Sequence, residues 1–338
     1  MRTIMTLGVD VGNFYTKTQS VVIPSGFIKM STLPYGTDNY VLLNGNYYVS
    51  DEHIFPYERD KTKTENAFIL SLLAISGELL KEAEKCNKKK VDAAEQDETK
   101  KRHVLGVQGE LNQLKEIKLG IGLPPTHMST LCKKMKQYYI DRIGEGITYV
   151  YNGYEISFML NAIECFPQDY AAVLTYRPKD REDSAVTYPS FYAIDIGGWT
   201  VDIITISNRK LSMEKCDSKP LGVLAMYEKM IKDVEIKTGK RLSQTDIECI
   251  LKGEKTLLRQ DVIEEIKHSA DEWYARIMSE LKQFGIEMDM YPVLFIGGGS
   301  ALFKKQIKAD KSIIKYEFIS GSRSNAIGYA LLMDANKS

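Results

Sequence analysis

The chain has 338 residues, 43% of them hydrophobic, with 45 basic and 45 acidic side chains and no net charge. That length suits about two globular domains, and the charge balance argues against direct grip on a nucleic-acid backbone, which needs a basic excess on one face. No run of 18 apolar residues occurs, so no membrane-spanning helix is expected. The five cysteines (Cys86, Cys132, Cys165, Cys216, Cys249) are odd in number and never spaced C-x-x-C, which argues against a disulfide framework or a structural zinc site. The N-terminal residues lead straight into a strand without a long apolar core, so a reducing, cytoplasmic setting is expected.

In chain order, residues 3–10 and 15–23 read as paired strands around a turn at Val11–Phe14. Leu43-Asn44-Gly45-Asn46 reads as a hairpin with Asn-Gly at its tip. Phe68, Leu72, Ile75, Leu79 and Leu80 fall at helical spacing and predict a helix over 64–85. Residues 81–103 hold 14 charged side chains of 23, which reads as a solvated helix end plus a mobile loop, with a partner-contact surface as the alternative. A strand at 117–122 runs into Leu123-Pro124-Pro125, and a helix follows over 128–142. Alternating apolar residues mark strands across 147–166, ended by Pro167 and a short helix through Ala171, Ala172 and Leu174. A second hairpin spans 191–206. From Leu221 to about Phe284 the pattern is helical, with breaks near Gly239 and Gly253. A buried strand at 292–296 meets Gly297-Gly298-Gly299, and a strand near 316–319 precedes a last helix from about Ser324. The order strands, helices, strands is met twice, which predicts two related α/β domains.

The two hairpins carry the chemistry. Asp10-Val11-Gly12-Asn13 and Asp195-Ile196-Gly197-Gly198 stand 185 residues apart with matching offsets. Gly12, Gly197 and Gly198 let a backbone approach phosphate without a Cβ in the way, and successive N–H groups in such turns form a concave anion site. Asn13 and Thr16 add side-chain donors, and Lys17 on the returning strand is placed to reach a β- or γ-phosphate. Asp10 and Asp195 would repel phosphate directly, but make sense on either side of a Mg²⁺ whose water shell they orient. An ordinary tight turn with a solvated Asp is the plain alternative for either copy alone. Gly297–Gly299 would let the backbone pass beside a base or ribose, with the following helix start favouring negative charge; a close strand-to-helix crossing is the structural alternative. No G-x-x-x-x-G-K-[ST] is present, so a P-loop is excluded. Hydrolysis needs a group to orient water. Gln168, directly after Pro167, is the favoured candidate, with Asp195 assisting as proton acceptor through water; Glu164 is the alternative and a helix-capping role is the bland reading of Gln168.

Together these residues resemble the actin, heat-shock-chaperone and sugar-kinase ATPase superfamily. Asp10-x-Gly12-Asn13-x-x-Thr16-Lys17 resembles its first phosphate motif, Asp195-Ile196-Gly197-Gly198-Trp199-Thr200-Val201-Asp202 its second, and Ile296-Gly297-Gly298-Gly299-Ser300 its adenosine motif. Leu119-Gly120-Ile121-Gly122-Leu123-Pro124, Phe166-Pro167-Gln168 and Ser324-Asn325-Ala326-Ile327-Gly328-Tyr329 are similar to segments of bacterial actin-like proteins, nearest the plasmid-segregation actins of the ParM/StbA type and their Alp branch. The resemblance implies an α/β actin-like fold of two related domains around a central nucleotide cleft: residues 1–165 with a C-terminal helix at 324–338 packing back on them, and residues 166–323. It implies binding of ATP, or GTP, with Mg²⁺, through Thr200 and Asn325 besides the residues above. It implies filaments of the protein with itself, driven by ATP hydrolysis, and an adaptor bound to plasmid centromere DNA. A small-molecule kinase on the same fold is the competing function. Trp199 departs from the Gly or Thr common at its position, and its indole either packs beneath the turn or narrows the phosphate pocket.

Overall fold

A computed structural model describes residues 4–53, 55–96, 106–178, 180, 182–319 and 321–335. The chain divides into two compact units, one formed by Met1–Leu123, His127–Thr175 and Arg323–Ser338, the other by Pro124–Thr126 and Tyr176–Ser322. Residues 166–175, read from the sequence as the start of the second domain, cluster with the first unit.

The first unit opens with β1 (Ile4–Val11), β2 (Tyr15–Lys17), β3 (Val22–Pro24), β4 (Phe27–Met30), β5 (Tyr40–Leu43) and β6 (Asn46–Ser50). Helices α1 (Asn66–Gln96) and α2 (Gly106–Leu111) lead to β7 (Glu116–Leu123), α3 (Pro125–Ile143), β8 (Ile147–Tyr151), β9 (Tyr154–Pro167) and α4 (Tyr170–Thr175). The strands form one sheet in the order β3-β2-β1-β7-β9-β8-β5-β6-β4. Its centre is parallel, β1 to β7 to β9, and those strands are covered on both faces. Leu7, Val9, Ile117, Leu119 and Ile121 are buried on one face, and Gly8 and Gly120 are buried on the other. At Asn44-Gly45 both residues take positive φ, 51° and 76°, the backbone that a two-residue I′ hairpin demands. Asn152-Gly153 does the same between β8 and β9, at 50° and 83°.

Helix α1 extends to Gln96, eleven residues past the predicted end. Its first half is buried through Phe68, Leu72, Ile75 and Leu79, while the charged continuation adds a tie from Lys90 Nζ to Glu110 Oε1 of α2 at 2.7 Å. The loop expected within 97–103 lies outside the described residues. Pro125 occupies the first position of α3, where its missing N–H costs nothing.

The second unit begins with β10 (Phe191–Ile196) and β11 (Val201–Ser207), followed by β12 (Lys210–Leu211) and β13 (Asp217–Lys219). Three helices come next: α5 (Val223–Thr238), α6 (Gln244–Lys252) and α7 (Gln260–Gln283). Then come β14 (Val293–Ile296), α8 (Gly297–Leu302), α9 (Lys304–Ala309) and β15 (Tyr316–Phe318). The sheet order is β12-β11-β10-β14-β15, with β13 also on β11. The breaks at Gly239 and Gly253 are helix ends in the left-handed conformation, φ 68° and 76°. Between them Ser243 and Asp246 form a reciprocal capping box that starts α6. On α7, Val262, Ile266, Trp273, Ile277 and Leu281 recur at helical spacing and form the stripe buried in the core of this unit, where α7 packs on α5 and α6.

The last helix, α10 (Ser324–Ala335), belongs to the first unit. It lies directly on β1 and β7 because those strands carry glycine where it crosses. A Cβ at Gly8 would come within 1.8 Å of the Ala326 carbonyl oxygen, and one at Gly122 within 1.9 Å of the Tyr329 hydroxyl. From the helix side, a Cβ at Gly328 would sit 2.2 Å from the Ala171 carbonyl oxygen of α4. Phe166 and Tyr329 stack at 6.3 Å within this seam. Residues 336–338 of the predicted final helix lie outside the described residues.

Candidate functional site

Each unit carries one of the two hairpins, and the two are built alike. In the first, Asp10 pairs with Lys17 and Val11 with Thr16; in the second, Asp195 pairs with Asp202 and Ile196 with Val201. Four residues form each turn. The Gly12 N–H donates to the Tyr15 carbonyl at 3.2 Å, and the Gly197 N–H to the Thr200 carbonyl at 2.9 Å. The repeated offset in the sequence is therefore a repeated hydrogen-bond pattern. The two copies differ in charge: the cross-strand partner of the aspartate is a cation in one and a carboxylate in the other.

In the first unit Asp10 is 5% exposed, and Gln168 Nε2 donates to its Oδ1 at 3.3 Å. Gln168 is held at the end of β9 by its own N–H, which donates to the Leu123 carbonyl at 2.8 Å. The next residue, Asp169, has φ 61° and is fully enclosed. Its N–H donates to Asn325 Oδ1 at 2.8 Å, and Asn325 Nδ2 returns a bond to Asp169 Oδ1 at 3.0 Å. Asn325, which the family resemblance offers as a nucleotide contact, thus uses both ends of its amide to clamp the bend that carries Gln168. Thr16 is likewise committed: it is buried, and its hydroxyl is hydrogen-bonded to Ser25 Oγ at 3.0 Å. Ser25 in turn donates to the Gly12 carbonyl at 2.7 Å, so the pair braces the turn from behind. Glu164 is ion-paired with Lys136 at 3.1 Å, whereas Gln168 touches Asp10.

Lys61 escapes the sequence reading. Its ammonium donates to the Val11 carbonyl at the tip of β1. With Gly12 and Asn13 it lines a recess of about 40 Å³ beside the first turn. The one local signal was a lysine-rich stretch, Lys61-Thr62-Lys63-Thr64, just ahead of α1.

In the second unit the turn sits on the start of α5. The N–H groups of Gly222, Val223 and Leu224 donate to the carbonyls of Trp199, Gly197 and Gly198 at 3.0, 3.1 and 2.9 Å. These are orphan donors of a helix N-terminus, here satisfied by turn carbonyls. Gly222 is required for the fit, since a Cβ there would meet the Gly198 carbonyl oxygen at 2.2 Å. The Trp199 indole nitrogen is shielded from solvent. Asp195 is parallel-paired with Ile296. Its Oδ1 lies 1.9 Å from where a Cβ on Gly297 would stand. Gly299 is equally fixed, its missing Cβ standing 2.5 Å from Ile196 Cγ2. Gly298 faces open space. The glycine triplet is therefore two packing seats and one open position, set beside the second aspartate.

Asp202 accepts from Thr200 Oγ1 at 2.9 Å through its Oδ2. Burial pushes its carboxyl up to about 6, and the Asp195 carboxylate across the hairpin adds to the rise. Two carboxylates on adjacent strands form a hard-oxygen, electron-rich spot whose negative charge a divalent cation would offset. Among the described residues no cluster of three or more His, Cys, Asp or Glu is present. Mg²⁺ suits such sparse ligation, since it is held by one or two carboxylates together with water and substrate phosphates.

Residues 193–309 match the family model described as archaeal actin homologue MreB-like, C-terminal. No curated protein sequence matches the chain. Among solved structures it is similar to Ta0583, an archaeal actin homolog, at 16% identity and a TM-score of 0.68, over 98% of this chain and 99% of that one. Ta0583 is also solved in complex with ADP. A Bacillus thuringiensis ParM with AMPPNP gives 11% identity and a TM-score of 0.61, over 99% of both chains. An Alp12 filament structure gives 14% identity and a TM-score of 0.61, over 99% of both. What this chain shares with all three is the actin-like fold.

Proposed function

From its actin-like fold we propose that this chain is a nucleotide-dependent ATPase that assembles into filaments, and that its filaments segregate plasmid DNA through a DNA-bound adaptor. The observation that carries the nucleotide reading is the paired hairpin, with one turn geometry in both units and Gln168 hydrogen-bonded to Asp10. The ADP and AMPPNP complexes of the similar structures support nucleotide binding, and the Alp12 filament supports self-association. Kinase chemistry finds no supporting observation.

In this reading the hairpins serve nucleotide binding, of ATP or GTP. Gly12, Asn13 and Lys17 of the first turn, and Gly197, Gly198 and Thr200 of the second, meet the phosphates. Gly298, the open position of the triplet, passes the nucleoside. Asp10 and Asp195 are the residues that would hold Mg²⁺, which would supply charge neutralisation on the phosphates. Gln168 orients the attacking water: its amide is fixed against Asp10 by the Leu123 carbonyl behind it and by the Asp169–Asn325 clamp. The ion pair of Glu164 with Lys136 disfavours Glu164 for that role.

Assembly is tested by sedimentation and light scattering with and without ATP and Mg²⁺. Scattering should rise only with nucleotide and above a critical concentration. Gln168→Ala should slow phosphate release about 10²-fold, the scale of losing one preorganised transition-state contact, while filaments still form and last longer. A chain that stays monomeric at every concentration with ATP would refute the filament reading, and unchanged phosphate release in Gln168→Ala would refute the role of Gln168.

A further inference from the structure

All five cysteines are free thiols. Three of them meet oxygen. The Cys86 thiol donates to Glu82 Oε1 at 3.6 Å, the Cys216 thiol to the Ser212 carbonyl at 3.3 Å, and Cys249 lies against Glu254. The other two meet each other. Cys132 on α3 and Cys165 on β9 are neighbours, and Cys132 packs on the same apolar core that buries Cys165.

A second contact runs beside the first. Lys136 lies one helical turn after Cys132, and Glu164 directly precedes Cys165; their side chains pair at 3.1 Å. The helix thus meets the strand at two neighbouring points, sulfur to sulfur and ammonium to carboxylate. The same ammonium lies within electrostatic reach of both sulfurs. The two thiols are not equivalent. Cys165 is 7% exposed, and burial pushes its thiol up, keeping it protonated. Cys132 is half-buried and open to small reagents.

We propose that Cys132 and Cys165 are a redox-active thiol pair that closes to a reversible disulfide on exposure to a hydroperoxide. The Cys132 sulfur attacks the O–O bond, giving a sulfenic acid and releasing the alcohol, or water from hydrogen peroxide; the thiol proton leaves with the departing oxygen. The Cys165 sulfur then displaces hydroxide from the Cys132 sulfur. The S–S bond forms, the Cys165 proton joins the hydroxide as a second water, and the two electrons lost by the sulfurs have reduced the peroxide. The two thiols already neighbour each other across one helix–strand contact, and closure would bring the sulfurs to a bond length of about 2.05 Å. The bridge would staple α3 to β9 three residues before Gln168. The inference does not depend on the function proposed above, because it is scored by mass alone.

The full-length folded protein is treated with a small excess of hydrogen peroxide, quenched with N-ethylmaleimide and digested without reductant. The expected product is a peptide pair joined through Cys132 and Cys165, lost on adding dithiothreitol. Cys132→Ser and Cys165→Ala should each abolish it, and Cys86→Ser should leave it intact. Circular dichroism on the Cys165→Ala protein reports whether its fold is kept; Cys132→Ser, at a half-buried site, gives an independent reading. Cys132 recovered only as sulfinic or sulfonic acid, or joined to any other cysteine, would overturn the proposal.

Discussion

Asp202→Asn should make the nucleotide-free protein more stable at neutral pH. Asp202 is enclosed on β11 opposite Asp195, and its carboxyl is raised from an ordinary 3.8 to about 6 by burial and by that neighbour. A raised carboxyl is one whose ionisation the fold resists. Below about pH 4 the group is neutral in the folded and unfolded chains alike, and its full contribution to stability is present. As pH climbs through about 6 the unfolded chain has already released the proton and the folded chain is forced to follow, so that contribution is lost. The rise corresponds to about 3 kcal/mol at 1.36 kcal/mol per pH unit. Asparagine is isosteric and permanently neutral, and its amide oxygen can still accept the Thr200 hydroxyl that now bonds Oδ2 at 2.9 Å. Urea unfolding of both proteins between about pH 3.5 and 8, without nucleotide or divalent cation, should show a gain of about 2–3 kcal/mol for the variant at the top of the range. The gain should shrink to nothing at the bottom. A gain of the same size at every pH, or a loss at neutral pH, would show that the Asp195–Asp202 pair does not carry this cost.

Two further changes probe the packing around the hairpins. Gly299→Ala should cost about 1–3 kcal/mol in urea unfolding, the scale of overpacking a filled core, because its new methyl would stand 2.5 Å from Ile196 Cγ2; Gly298→Ala should unfold like the parent, and equal midpoints for the two would refute the division of the triplet. Asn325→Ala removes both partners of a buried aspartate bend and should cost about 1–3 kcal/mol, with faster amide hydrogen exchange at Asp169; an unchanged exchange rate there would show that the bend is held by something else.

What could be read in the sequence was what local chemistry decides. Asn44-Gly45 announces its hairpin because two consecutive positive φ values admit few other residues. The phosphate-type turns are legible for the same reason: Asp, Gly and the returning strand lie within eight residues of one another. The helix breaks at Gly239 and Gly253 follow from single residues at left-handed caps. What stayed hidden depends on distant partners. Gln168 and Asp10 are 158 residues apart, Asp169 and Asn325 156 apart. Nothing near Asn325 says that its amide will be spent on a bend rather than left for a ligand. Thr16 misleads in the same way, since the hydroxyl that engages it belongs to Ser25, brought close only when β3 folds against β2. Gly120 and Gly122 stand out in the sequence as part of a family-like segment, yet each is a seat for Tyr329 of a helix some two hundred residues later. The charge-rich stretch was legible as a solvated helix end, but with no apolar stripe it did not fix where α1 stops; there Lys90 pairs with Glu110 of α2.

The glycine-lined crossing of α10 over β1 and β7 also bears on the order in which the molecule can be completed. β1 leaves the ribosome long before the helix that covers it, which is translated only after the whole of the second unit. During synthesis the nascent sheet therefore waits with one face uncovered while the intervening unit is free to finish. A stall anywhere between Tyr176 and Ser322 would leave bare the patch around Phe166 and Ala171 that Tyr329 and Met333 cover, the kind of surface that chaperones bind.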